Sequence, residues 1–292
     1  MASKIDELNL KEITKEHYKH YLTICLDEIF KEYEYDYITT KLPEEIIIER
    51  LRNYASEKGK SIHYANDLAK PFAAIEKNQR WKKIIKTLSE PIREKYLSNV
   101  PSDRQQAAYI KFDDLVSIRD SLPNGSDEKL LLMMYTHIPP ARADYFKTKL
   151  YFSAFSEAGI NKLIAECNDN FIIVSSNLLV LTDYKTKEVY DTLRINLPPD
   201  IMKHIRLLHR EYLFVSETGK TFDRASYTYW ANNLLRKITK NDHITLTTLR
   251  HIYISRPDLA LNEKTGLERD QIAKLMGHSV EQQALYRWEE SF

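Results

Sequence analysis

Cysteine and glycine are scarce in this chain: its 292 residues include two cysteines and six glycines. Cys25 and Cys167 lie far apart and show no metal-ligand spacing. They read as free, buried or half-buried thiols, and nothing demands an oxidising compartment. No Walker loop, dinucleotide glycine fingerprint, EF-hand or zinc-finger pattern appears, so neither a cofactor nor a metal is expected. Net charge is also missing, with 43 Lys plus Arg against 42 Asp plus Glu. That balance does not advertise nucleic-acid binding, but it does not exclude it, because a local basic surface is what matters. The longest apolar runs fall far short of a membrane span, and Met1 to Asp6 lacks the apolar core of a signal peptide. The expectation is a soluble, intracellular protein with no membrane partner, its compartment unresolved.

Tyrosine is abundant, at 19 residues, and with so little glycine this fits a mostly helical protein. The length allows one large or two modest domains, either with enough chain to bury a core. Residues 1 to about 100 read as helical. His17 to Tyr33 carries Tyr18, Tyr21, Leu22, Cys25, Leu26 and Ile29 at three-to-four spacing. Pro43 opens a second helix, with Glu44 and Glu45 in its first turn and Ile46, Ile47, Leu51 and Tyr54 as its core face. The segment from Lys77 to Lys86 concentrates Arg80, Lys82, Lys83 and Lys86 around Trp81. It reads equally well as a phosphate-contacting face or as a solvated helix face.

Ser98 to Asp103 marks a boundary, with a new helix starting at Ser102 or Asp103. Residues 104–120 and 127–137 read as helices, the second N-capped by Ser126. The pattern then changes. Phe171 to Val174, Leu178 to Leu181 and Val189 to Leu197 read as three short strands, and Pro198-Pro199-Asp200 opens a helix through Leu208. Helices resume at Arg224. The fold class is α+β, mainly α, with a helical domain over 1–100 and a mixed domain over 101–292 holding a small three-stranded sheet.

Near the C-terminus, Leu275-Met276-Gly277-His278-Ser279 is followed by Tyr286. Upstream stand Arg142, Lys185 in Tyr184-Lys185-Thr186, and Arg250 in Leu249-Arg250-His251. Two arginines, a lysine, a histidine and a late tyrosine, in that order, are the parts of a metal-free phosphoryl transfer through a tyrosine. Residues 103–290 resemble the tyrosine recombinases, the phage integrases and related DNA strand-exchange enzymes. Each motif is short, and the specificity lies in their order and spacing.

The chemistry follows from the residue types. Phosphodiester transfer concentrates charge on nonbridging oxygens, and without a metal fixed cations must hold it. Arginine forks such as those of Arg142 and Arg250 donate paired hydrogen bonds and stay charged. A tyrosine hydroxyl, with an ordinary pKa near 10, needs a cationic pocket or a base to become a nucleophile. A lysine on a hairpin can protonate the leaving deoxyribose oxygen. Arg250 lies in an apolar helix, where a buried guanidinium calls for an anion.

The resemblance implies that Tyr286 is the nucleophile, Arg142 and Arg250 stabilise the transition state, Lys185 is the general acid and His278 orients or moves a proton. Lys187 competes with Lys185, which the family's Lys-Thr turn favours. It further implies a helical domain that clamps double-stranded DNA through Arg80, Lys82, Lys83 and Lys86, a homotetramer on paired sites, and DNA recombination or integration on behalf of a mobile element or virus. Two positions depart from the pattern. Thr247 stands where the family has histidine, with His251 as possible support, and the interval from His278 to Tyr286 is about one residue short. Only Arg287 to Phe292 follow the tyrosine, so any exchanged tail must be short or include the tyrosine's own helix. The alternatives are a type IB topoisomerase-like enzyme, a DNA-binding protein on the same scaffold that has lost its chemistry, and a purely structural helical protein.

Overall fold

A computed structural model describes residues 2–288, and the chain divides into two compact units, Met1–Ser98 and Asn99–Phe292. The first is all-helical: α1 (Ala2–Asp6), α2 (Glu12–Ile24), α3 (Tyr35–Thr40), α4 (Glu44–Glu57), α5 (Ile62–Glu76) and α6 (Gln79–Leu97). The single helix expected over residues 17–33 is interrupted. After α2 the chain widens into a π-helical turn, Cys25–Ile29, which brings Cys25, Ile29 and Phe30 all into the core. Pro43 stands at the N-cap of α4 as its fixed φ predicts, and Ile47 and Leu51 are buried. Ile46, expected on that core face, is exposed. α5 and α6 pack against each other, with Trp81 stacked on Phe72 at 4.5 Å. A large aromatic buried this deeply is worth about 3–5 kcal/mol against alanine.

The second unit begins with α7 (Asp103–Ala107), α8 (Phe112–Ser121) and α9 (Asp127–Thr136). Residues 104–120 therefore form two helices instead of one, with Tyr109 and Ile110 of the connection packed on the core. Ser126 caps α9 by accepting from the Lys129 amide at 3.2 Å. Every residue from Leu130 to Thr136 is buried. α9 is thus the central helix, touched by α8 and by three later ones: α12 (Pro199–Arg206), α13 (Arg224–Thr239) and α14 (Leu246–Ser255).

Between them lies the sheet. β1 (Lys149–Tyr151), β2 (Phe171–Ile173), β3 (Leu178–Leu181) and β4 (Leu193–Asn196) lie side by side in that order. The sheet has four strands, not the expected three. β1 is only three residues long, too short for a periodicity to show, and it pairs parallel to β2 through the crossover helix α10 (Glu157–Glu166). β2–β3 and β3–β4 are antiparallel, with Leu179 between Ile172 and Ile195. The expected strand from Val189 to Leu197 is only half strand. Lys187–Tyr190 forms the short helix α11 with Val189 exposed, while Leu193, Ile195 and Leu197 alternate inward as expected.

α15 (Gly266–Leu275) and α16 (Val280–Tyr286) close the unit; they pack on one another, and α16 also packs on α14. Among the described residues no helix is long and apolar enough to cross a membrane.

Candidate active site

Arg250 is placed by the burial of the helix that carries it. Thr245 caps α14, and Leu246, Leu249 and Ile252 bury themselves in the unit's main core. That packing drags Arg250 inside, to 1 % exposure. Its Nη1 donates to the carbonyl oxygens of Pro140 at 2.9 Å and Met276 at 3.1 Å. Its Nη2 lies 3.1 Å from His278 Nδ1, and its Nε is buried without a partner. The Tyr286 ring lies over the guanidinium at 4.9 Å. Burial pulls the Arg250 pKa downward, yet a guanidinium stays charged. A buried cation with only carbonyl, imidazole and aromatic neighbours is an expensive arrangement unless an anion is meant to join it.

The Gly277 turn joins the remaining parts. α15 ends in paired bonds, Gly277 N–H to the Lys274 carbonyl at 2.9 Å and His278 N–H to the Ala273 carbonyl at 3.0 Å. Gly277 takes the left-handed conformation such a C-cap requires, φ +67°. A side chain there would also meet Thr186 Oγ1 at 3.2 Å. The Gly277 carbonyl accepts from Arg142 Nη1 at 2.8 Å and from Thr186 Oγ1 at 2.9 Å. One carbonyl therefore ties the Arg142 loop, the Lys185 turn and the end of α15 together. Capping a helix, the bland explanation of Gly277-His278, is what aims the His278 ring at Arg250.

His278 is 3 % exposed. Burial, with Arg250 and Arg142 nearby, lowers its pKa to about 3. The ring is therefore neutral at physiological pH. Its Nδ1 accepts from Arg250, so the proton sits on Nε2, a buried donor without a partner. The Tyr286 ring centroid lies 5.1 Å from that of His278. His251 reaches the same helix end: its Nδ1 donates to the Tyr286 carbonyl at 2.7 Å. Burial lowers the His251 pKa to about 4.

Arg142 sits in the bend after α9. Its own amide donates to Asp144 Oδ2 at 3.1 Å, and Asp144 is ion-paired to Arg224. Its carbonyl accepts from the Tyr135 hydroxyl at 2.6 Å. Asp144 thus bonds the Arg142 backbone and not its side chain, which leaves the guanidinium turned toward the Gly277 turn. Lys185 and Lys187 are exposed on either side of Thr186. Lys185 lies in a turn after β3 and Lys187 at the start of α11, so neither occupies a tight strand hairpin. Thr247 is exposed in the first turn of α14.

Two bracing residues, Asn170 and Thr186, stand outside the set that the sequence pattern picks out. Asn170, 1 % exposed, donates to the carbonyls of Asp144 at 2.6 Å and Asp183 at 2.9 Å. Its Oδ1 accepts from the amides of Thr182 and Asp183, each at 2.8 Å. It therefore links the Arg142 loop to the Lys185 turn. Nothing local marks it, because it stands in an ordinary turn before a strand. Thr186 had a better signal, lying beside the lysine already singled out.

In the first unit the four expected backbone-binding cations separate. Arg80 turns inward and donates to the carbonyls of Ile38 and Thr40, each at 3.4 Å, and to that of Leu42. It closes the C-terminal end of α3, where orphan carbonyls and the negative end of the helix attract a cation. Trp81, among these cations in sequence, is wholly buried. Lys82, Lys83 and Lys86 remain exposed, Lys83 paired with Glu44 at 2.8 Å.

No family model and no curated protein sequence matches the chain. Among solved structures it is similar to the crystal structure of XerA recombinase, with 14 % sequence identity over 98 % of this chain and 91 % of that one and a TM-score of 0.39.

Proposed function

We propose that this protein is a DNA strand-exchange enzyme that works through a tyrosine, a site-specific recombinase or integrase. The observation that carries the reading is the Tyr286 ring on the guanidinium of Arg250, beside the neutral imidazole of His278 and with Arg142 on the same Gly277 turn. The cluster holds two cations and a nucleophile-bearing ring, and its unused donors are Arg250 Nε and His278 Nε2. A phosphodiester supplies what it lacks: charge to answer the arginines and oxygens to accept from the orphan N–H groups.

In this reading the Tyr286 hydroxyl oxygen attacks phosphorus and passes its proton to solvent water. The P–O bond to the 5′ carbon's oxygen breaks, and that oxygen leaves as a 5′-hydroxyl after taking a proton from Lys185. The 3′-phosphotyrosyl link preserves the bond energy, and reversal by another 5′-hydroxyl rejoins the strand without ATP. Arg142 and Arg250 hold the nonbridging oxygens. His278 donates from Nε2 as a neutral hydrogen-bonding group, a role its lowered pKa favours over proton shuttling. Lys82, Lys83 and Lys86 contact the duplex backbone, and paired duplexes are held by four copies.

One observation favours a second reading. Thr247 replaces an imidazole with an exposed hydroxyl, which donates to phosphate but moves no proton near neutrality. A protein that binds DNA without cutting it is the reading this supports. Nicked fragments of the source organism's genomic DNA separate the two, since loss of the short strand beyond the nick traps a cleaved intermediate. The recombinase reading expects an SDS-stable protein–DNA adduct that Tyr286→Phe abolishes. Binding without an adduct, or an adduct that survives Tyr286→Phe, sinks it. Supercoil relaxation by a monomer, without pairing of sites, would instead identify the topoisomerase-like alternative.

A further inference from the structure

The last turn of α16 is held more firmly than its length explains. At seven residues it is too short to be stable by itself, and its final carbonyls have no partner within the helix. Two side chains from elsewhere take over these carbonyls, and two further bonds fix the residues just after the helix. His251 donates to the Tyr286 carbonyl at 2.7 Å. Asn99, with its amide nitrogen turned to them, donates to the Ala284 and Arg287 carbonyls at 3.1 Å each. The Trp288 amide donates to Ser255 Oγ at 2.7 Å, and the Arg287 guanidinium to Asn262.

Trp288 completes the arrangement. It is 4 % exposed, and its ring lies on the His251 imidazole at 4.4 Å and 8°. Tyr109 meets it edge-on at 6.0 Å. His251 is therefore fixed on one face by Trp288 while its Nδ1 holds the Tyr286 carbonyl, and the Tyr286 ring lies 4.6 Å from it. The Tyr286 carbonyl and the Trp288 amide are pinned to α14, the helix that carries Arg250, through His251 and Ser255, while Asn99 holds the Ala284 carbonyl ahead of the tyrosine.

We propose that Trp288 and His251 form a latch that positions the Tyr286 ring on Arg250, with Trp288 as a positioning residue acting through His251. The proposal rests on the reading of Tyr286 as nucleophile. Trp288→Ala removes the stacking surface and frees His251 to turn, so the tyrosine spends less time over the guanidinium. Trp288→Phe keeps a flat ring on the imidazole.

The test measures adduct formation on the nicked genomic fragments at saturating DNA, and separately the DNA concentration giving half-maximal rate. Trp288→Ala is expected to lower the saturated rate at least tenfold with half-saturation unchanged within about twofold, and Trp288→Phe to restore the rate to within about threefold of wild type. A wild-type rate in Trp288→Ala overturns the latch, and so does a parallel loss in rate and DNA binding. If the unaltered protein forms no adduct, the recombinase reading fails, and the latch is then judged without DNA. With ring-13C tyrosine, the Tyr286 NMR signal should shift in Trp288→Ala and hold in Trp288→Phe. A signal that stays put in both overturns the latch on its own.

Discussion

Arg80 and Arg250 are both arginines turned into the protein, both bonded to backbone carbonyls, and both left with a buried Nε that has no partner. One feature separates them. Arg80 faces the end of α3, where carbonyls alone supply the negative charge it wants. Arg250 has two carbonyls as well, but it also faces a second cation, Arg142, which adds to burial in lowering its pKa, and a histidine held neutral by burial with the two arginines beside it. A buried arginine by itself therefore says little about function. Cations gathered against one another without an acid among them do, because their mutual repulsion is only relieved by an anion from outside.

The sharpest way to break this comparison is to remove each guanidinium and keep its bulk. Arg250→Met should lower adduct formation by about 10³-fold, the scale of losing a charged transition-state donor; it should also cost about 1–3 kcal/mol of stability, since the Pro140 and Met276 carbonyls lose their donor. Arg80→Met should cost a similar amount of stability through its own orphaned carbonyls while leaving the adduct rate within about threefold. Thermal melts and adduct assays on the two variants decide it, and equal losses of adduct rate would erase the distinction.

A smaller effect concerns pH. His251 and His278 have folded pKa values of about 4 and about 3, below the ordinary histidine value. On acidification the unfolded chain takes up protons first, so the folded state is fully favoured above about pH 6.5 and loses stability toward pH 4. Each histidine contributes a slope of up to about 1.4 kcal/mol per pH unit in that window. Melts from pH 7.5 to 4.5 should show the decline, and His251→Phe should flatten it. A flat profile in the unaltered protein would mean that the two rings are not held neutral.

The smallest effect belongs to the exposed face of α6. Lys82→Ala and Lys86→Ala should each weaken duplex binding a few-fold and reduce the salt slope of log affinity by about one, without changing sequence preference. Arg80→Met should leave that slope alone, since its cation faces inward. Anisotropy with a labelled duplex over a salt series reads both.

Local pattern determined a good deal of this protein. The helix starts at Pro43, Ser102 and Ser126, the two apolar strands from Phe171 to Leu181, and the mainly helical class with a small sheet are all written in neighbouring residues, because caps and periodicity act over a few positions. The residue types for a phosphoryl-transfer site were legible too, in the order Arg142, Lys185, Arg250, His278, Tyr286. Tertiary structure alone decided which of them meet. Arg142, Arg250, His278 and Tyr286 gather because one shared carbonyl, that of Gly277, and one buried helix, α14, draw together segments more than a hundred residues apart in the chain. The same long-range packing turned Arg80 inward, added β1 to the sheet and placed Trp288 on His251. Those outcomes depend on what covers a residue from elsewhere in the chain, and no local pattern carries that information.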